Sequence, residues 1–316
     1  MGTADSRPSL IYTGKRIANE GQDMQYLNSF TFPDRDQEFD FFLEQKRTCY
    51  TDFYPFQVLS ASDLTSLQMA PVTILHGGNG SGKTTALNVM AERLGAVRDS
   101  AYNKSCFFPD YVKRCREQWR GELPEEIRII TSDDVFDYML DLRHVNAGID
   151  RRREEIFAEY YDLREGRTVV RMESLDDYEK LKRANDARRK RTTQSRFVRE
   201  HLAANVQERS NGESAFMYFT EKIRENGLYL LDEPENSLSP GRQQELVCFL
   251  EDSVRFFGCQ FIIATHSPFM LAIRNARIYD LDECPVTVRS WTQLKNVQQY
   301  YQFFREHQEE FENNRK

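Results

Sequence analysis

The chain has 316 residues and a formal net charge of −7, with 40% hydrophobic and 29% charged residues, a balance that supports a packed interior and excludes a disordered, fibrous or wholly basic chain. No apolar run approaches the roughly 18–20 residues needed to cross a bilayer, and the N-terminus shows neither region of a secretory signal. Cys49, Cys106, Cys115, Cys248, Cys259 and Cys284 form no Cys-x-x-Cys pair, so reduced thiols, no zinc site, no stable membrane insertion and a cytoplasmic location are expected.

In chain order, the first strong signal is the apolar, β-branched run Pro71–His76. It leads without a break into Gly77-Gly78-Asn79-Gly80-Ser81-Gly82-Lys83-Thr84-Thr85. Leu87, Met90, Ala91 and Leu94 then share a helical face. The pattern G-x-x-x-x-G-K-[ST] is met by Gly77, Gly82, Lys83 and Thr84. Glycines are needed there because backbone N–H groups must close around phosphate oxygens, and a helix N-terminus adds partial positive charge. Lys83 is expected to reach the β and γ phosphates, and the Thr84 hydroxyl to bind Mg²⁺. Asn79, Gly80, Ser81, Gly82 and Thr85 are expected to line the same loop.

Ile127–Ile130 reads as another strand, followed by Thr131-Ser132-Asp133-Asp134. From Asp134 to Arg209 the chain is charge-rich and predicts helices, best marked over Arg151–Leu163 and Leu175–Ala204, with Gly166 as a break. Within this stretch Lys180–Arg199 carries nine Lys or Arg residues against the single acid Asp186. Such a helix can neutralise phosphates and bind DNA without sequence preference. It can equally be a solvated face paired with Glu173, Asp176, Asp177 and Glu179, and the residues leave both readings open.

Ser210-Asn211-Gly212-Glu213-Ser214 precedes an apolar run and reads as a helix start able to offer N–H groups to an anion. Leu228–Leu231 is a buried-strand pattern ending in Asp232-Glu233, so two carboxylates fall at the C-terminal edge of a parallel sheet, where ligands bind. Asp232 suits Mg²⁺, and Glu233 suits the orientation or deprotonation of an attacking water. Ser239-Pro240 predicts a helix start, with the body over Gly241–Asp252. The strand Gln260–Ala264 ends in Thr265-His266, which places an imidazole at the same sheet edge for contact with a terminal phosphate. Glu306–Glu312, bounded by Tyr300, Tyr301, Phe303 and Phe304, predicts an amphipathic closing helix for core packing or partner docking.

With these segments in this order, the chain resembles the ABC ATPase superfamily, in its soluble RecF and SMC-like branch. Gly77–Thr85 resembles Walker A, Ser210–Ser214 the Ser-x-Gly-Glu form of the signature motif, and Leu228–Glu233 Walker B. Glu235–Leu238 resembles the D-loop, and His266 the switch histidine. The resemblance implies an α/β P-loop fold with a mainly parallel central sheet, an N-terminal antiparallel β part and a helical insertion. The implied division is 1–133 and 210–316 for the ATPase core, with 134–209 as a helical arm.

The resemblance further implies ATP and Mg²⁺ as ligands, with Glu233, His266 and Lys83 catalytic and Ser210, Gly212 and Glu213 contacting nucleotide. The metal would lie at Thr84 and Asp232, with Asp133 at the position the family usually gives to a Gln. The adenine-stacking ring is sought on the aromatic Tyr26–Phe32 strand. Two copies are expected to pack head to tail with ATP between them, forming a homodimer that switches DNA or an effector protein, in repair or defence. The ATP-binding subunit of a membrane transporter and a non-hydrolysing ATP-sensing scaffold are the alternatives.

Overall fold

The computed structural model describes residues 25–46, 49–50, 52–165, 193, 198 and 211–313. Its strands are β1 (Leu27–Thr31), β2 (Ser66–Gln68), β3 (Val72–His76), β4 (Arg116–Trp119), β5 (Glu126–Thr131), β6 (Gly227–Asp232), β7 (Gln260–Thr265), β8 (Arg277–Asp280) and β9 (Thr287–Arg289). Its longer helices are α1 (Arg35–Glu44), α2 (Lys83–Leu94), α3 (Phe108–Arg114), α4 (Ser132–Arg164), α5 (Asn211–Lys222) and α6 (Pro240–Phe257). The short α7 (Pro268–Leu271) follows, then α8 (Lys295–Glu306) and α9 (Gln308–Asn313).

The fold is α/β. A six-stranded sheet has the order β5-β6-β7-β3-β8-β9, parallel except for the antiparallel edge strand β9. A separate antiparallel sheet has the order β2-β1-β4. β3, β6 and β7 are buried along their whole length, as expected of central parallel strands covered on both faces.

Alternation along these strands feeds two cores. Leu75, Leu228, Leu230, Ile262 and Ala264 pack with α2 and with Leu27, Phe30 and Phe32 of the antiparallel layer. Ile74, Tyr229, Leu231, Phe261 and Ile263 pack with Ala215, Tyr218 and Phe219 of α5 and Leu246 and Leu250 of α6. Both faces of the central strands β3, β6 and β7 are therefore covered, and the polar residues His76, Asp232 and Thr265 fall at their C-terminal ends.

Two buried side chains tie the two sheets: the Tyr279 hydroxyl of β8, which accepts from the Gln68 N–H of β2 at 2.8 Å and donates to its carbonyl at 3.0 Å, and Gln260. Gln260 Oε1 accepts from the backbone N–H groups of Tyr26 and Leu27 at 2.9 and 2.8 Å, and Nε2 donates to the carbonyls of Leu27 and Ala70 at 3.0 Å each. All four partners are main-chain groups that would otherwise lack water.

Three expectations need correction. The Arg151–Leu163 helix is the distal part of the continuous 33-residue α4, which starts at a Thr131/Asp134 capping box. Gly148 inside it is exposed and costs about 1 kcal/mol against Ala, too little to break the helix. Tyr26, Phe30 and Phe32 are buried in the core, so the Tyr26–Phe32 strand offers no free ring for a base. The stretch Glu306–Glu312 is split at His307 between α8 and α9, and Tyr300, Tyr301, Phe303 and Phe304 are exposed, which removes core packing as its explanation. Gly166, Leu175–Ala204 and most of Lys180–Arg199 lie outside the described residues; Val198 packs on Ile156, Tyr160 and Leu163 of α4. Among the described residues no helix is long and apolar enough to cross a membrane.

Candidate nucleotide-binding site

The loop between β3 and α2 is shaped by backbone freedom. Gly80 and Gly82 have φ of +82° and +92°, and a Cβ on Gly82 would come within 3.1 Å of Leu59 Cδ2. The loop curls over a cavity of about 370 Å³ lined by Val58, Asn79, Gly80, Ser81, Gly82, Lys83, Thr84, Thr85 and Glu233. Lys83, the first residue of α2, is buried and its Nζ donates to the carbonyls of Gly77 and Gly78 at 2.6 and 2.9 Å. An ammonium carries three donors, so one remains for a phosphate oxygen.

Thr84 and Asp232 converge from α2 and β6, with the Thr84 hydroxyl donating to Asp232 Oδ1 at 3.2 Å. A hydroxyl and a carboxylate at the mouth of an amide-lined loop are the oxygen donors that would hold a hard divalent cation such as Mg²⁺. Burial pushes the Asp232 carboxyl up to about 6, helped by the charges of Glu233 and Glu235 and opposed by the Thr84 bond and by Lys83. A carboxylate that is costly to ionise alone is one a cation would stabilise.

Glu233 has a left-handed φ of +48°, unusual for a residue with a Cβ. Its N–H is held by the carbonyl of Ala264 at 2.9 Å, and its Oε2 accepts from Asn236 Nδ2 at 3.1 Å. His266 Nδ1 lies 3.8 Å from Glu233 Oε1 and 3.4 Å from Glu235 Oε1. The β6 and β7 ends thus bring the carboxylate and the imidazole to one edge, as β6–β7 pairing of Asp232 with Ala264 requires.

Two further residues, Glu235 of the segment that resembles the D-loop and Tyr54, which had no role in the sequence reading, position the site. Buried Glu235 accepts from the Thr265 hydroxyl at 2.6 Å and from the N–H groups of His266 and Ser267 at 3.0 and 3.1 Å, so it fixes the turn that carries the imidazole. Tyr54 donates from its hydroxyl to Thr85 Oγ1 at 3.1 Å and stands beside the loop on the Val58–Leu59 side. Neither set of contacts has a local sequence signature, since each bond spans about 30 residues of chain.

The remaining sequence-derived residues lie apart. Ser210 is outside the described residues. Gly212 and Glu213 start α5, where a Cβ on Gly212 would sit 3.5 Å from the Ser237 carbonyl and Glu213 pairs with Arg242 at 3.0 Å. Neither lines the loop cavity. Asp133 is exposed in the first turn of α4 and also lies outside the cavity lining, while its neighbour Asp134 serves as the capping carboxylate.

Comparisons with known proteins agree with this architecture. A family model described as "ABC transporter" matches residues 63–236, and one described as "AAA ATPase domain" matches residues 211–271. The first spans more than half of the 316 residues, and the chain belongs to the ABC transporter family. It is an ATP-binding domain of ABC ATPase type.

A search of curated proteins finds no match. Among solved structures, the chain is similar to the Smc head domain with an extended coiled coil from Pyrococcus furiosus, at 14% identity over 75% of this chain and 95% of that one, with a TM-score of 0.37. It is similar to the SMC head domain from Thermotoga maritima at 11% identity over 71% and 92%, with a TM-score of 0.30. A dimeric ATP-binding cassette in a post-hydrolysis state, bound to ADP and Pi, is 15% identical over 72% and 90%, with a TM-score of 0.33.

Proposed function

We infer that the chain hydrolyses ATP as a head-to-tail homodimer, and that ATP-dependent closure of this dimer switches a DNA or protein partner. The observation that carries the reading is the convergence of Lys83, Thr84 and Glu233 on one loop cavity, with Asp232 bonded to Thr84 at 3.2 Å and His266 at 3.8 Å from Glu233. Lys83 and the loop amides would hold the triphosphate, and Thr84 and Asp232 would hold Mg²⁺, with Asp133 as a further candidate from the neighbouring strand end. Mg²⁺, when bound, supplies charge compensation for the phosphates.

Glu233 is suited to take a proton from water as its oxygen forms a bond to the γ-phosphorus and the bond from that phosphorus to the β–γ bridging oxygen breaks. His266, on a turn fixed by Glu235, is suited to hydrogen-bond the γ-phosphate. Gly212 lies against the Ser237 carbonyl, Glu213 pairs with Arg242, and neither lines their own cavity, which supports a role, with Ser210, on the nucleotide of a second copy. Residues 134–209 form the arm of this proposal, and Lys180–Arg199 its DNA-contacting segment, in a cytoplasmic protein of the RecF and SMC-like branch.

Glu233→Gln tests the reading because it keeps the size of the side chain and removes the base. It should lower turnover at least about 100-fold while ATP shifts the chain to a stable dimer in light scattering. Unchanged turnover, or a variant that stays monomeric with ATP, would refute it.

A further inference from the structure

Asp282, which follows β8, reaches the start of the phosphate loop from the far side of β3. Its Oδ1 accepts from the Gly78 N–H at 2.8 Å and lies 3.2 Å from where a Cβ on Gly77 would stand. Gly77 C=O and Gly78 N–H are the two ends of one planar peptide unit. Asp282 binds the N–H end, and Lys83 Nζ binds the C=O end at 2.6 Å. A carboxylate, a peptide and an ammonium therefore form a single polarised hydrogen-bonded row, in which each bond strengthens the next.

Asp282 is itself held by the sheet. Its N–H donates to Asp280 Oδ1 at 3.2 Å, and the Leu281 N–H donates to the His76 carbonyl at 2.8 Å, which extends the parallel β3–β8 ladder. Asp280 is buried, with Arg289 Nε 3.8 Å from its Oδ2. His76, Asp280 and Asp282 offer atoms within 4.8 Å of one another, as a metal site would. Each is already engaged, with the Thr265 carbonyl at 3.4 Å, the Asp282 N–H and the Gly78 N–H respectively, so the cluster is accounted for by hydrogen bonding to the loop.

We propose that Asp282 is a positioning residue for Lys83: by locking the Gly77–Gly78 peptide it fixes the two-carbonyl seat that leaves one ammonium N–H aimed at the nucleotide phosphates. Without it the peptide can rotate, and Lys83 loses a fixed anchor. The proposal rests on the ATP-binding reading, and its test separates the two.

The full chain is titrated with a fluorescent ATP analogue and Mg²⁺ as wild type, Asp282→Ala, Asp282→Asn, Lys83→Ala and the Asp282→Ala/Lys83→Ala double variant. Asp282→Ala should weaken binding about fivefold, a charge-assisted bond discounted for exposure. Asp282→Asn, whose amide oxygen still accepts from Gly78, should stay within about twofold of wild type. Beside Lys83→Ala, the Asp282→Ala change should add less than about twofold, because the row no longer has an ammonium to place.

Equal losses from Asp282→Ala in both backgrounds, or no loss in either, overturn the proposal. So does an Asp282→Asn loss as large as that of Ala. Should Asp282→Ala lose native circular dichroism, Asp282→Leu, of similar shape and without an acceptor, is taken through the same cycle with the same criteria. A wild type that binds no analogue overturns the ATP-binding reading as well, whereas wild-type binding with an unchanged Asp282→Ala overturns the positioning role alone.

Discussion

Asp232 sits where a cation is wanted, and its chemistry in the absence of one follows from burial. Its carboxyl is raised from 3.8 to about 6, so between roughly pH 4 and pH 6 the folded chain keeps a proton that the unfolded chain has released. Stability of the metal-free protein therefore falls as pH rises through this window, by an upper bound of about 3 kcal/mol. Urea midpoints in EDTA across that range should fall relative to those of Asp232→Asn, which has no proton to lose. Parallel curves for the two proteins would sink the prediction, and added Mg²⁺ should close the gap from the high-pH side.

The loop residues from Gly77 to Thr85, the Asp232-Glu233 pair and His266 were legible because each chemical group sits within a few residues of the turn or strand end that exposes it. Tyr54, Asp282 and the bonds by which Glu235 fixes the Thr265–Ser267 turn were not. Asp282 meets Gly78 across 204 residues, and only the β3–β8 pairing brings them together.

Among whole elements, β3, β6 and β7 could be read as strands because each is a short apolar run closed by a polar loop, the signature of a parallel strand covered on both sides. The antiparallel layer is less legible, since β2 and β4 are only 3 and 4 residues long and carry polar side chains on their open face. Beside the Tyr279–Gln68 bonds, that layer is held to the parallel sheet by Gln260, a polar residue that opens the apolar run Phe261–Ala264 and that the sequence offers without explanation. Its side chain is fully buried and meets four main-chain groups.

Gln260→Leu keeps the approximate volume and strands the Tyr26 and Leu27 N–H groups, so it should destabilise the fold by about 3 kcal/mol or more. The comparison is made by urea unfolding. A loss under about 1 kcal/mol would show that the Gln260 bonds add little to the apolar packing and the Tyr279–Gln68 bonds that also join the two sheets. α4 shows the opposite failure of sequence reading: its capping box was hidden in Thr131–Asp134, a stretch read for metal chemistry, so the helix marked from Arg151 in fact begins at Ser132.

At the scale of the whole molecule, the proposed head-to-tail packing assigns Gly212 and Glu213, which lie outside their own loop cavity, to the site of a second copy. If the nucleotide is sandwiched head to tail, every site takes its phosphate loop from one copy and its α5 start from the other. A Lys83→Ala copy then has a broken loop and an intact α5 start, and a Gly212→Asp copy the reverse, with the added carboxylate repelling the phosphates. Each variant alone forms only defective sites. Mixed in equal amounts with free exchange, about half of the dimers are heterodimers, and each of those has one site with both parts intact and one with both broken. One site in four is then whole, so the mixture should recover about a quarter of wild-type turnover, provided the two sites of a dimer fire independently. Steady-state phosphate release from the mixture, against each variant alone, measures this directly. No recovery, in a mixture shown by mass to contain heterodimers, would mean that the α5 start does not act across the interface, and the Gly212 face would then belong to some other contact.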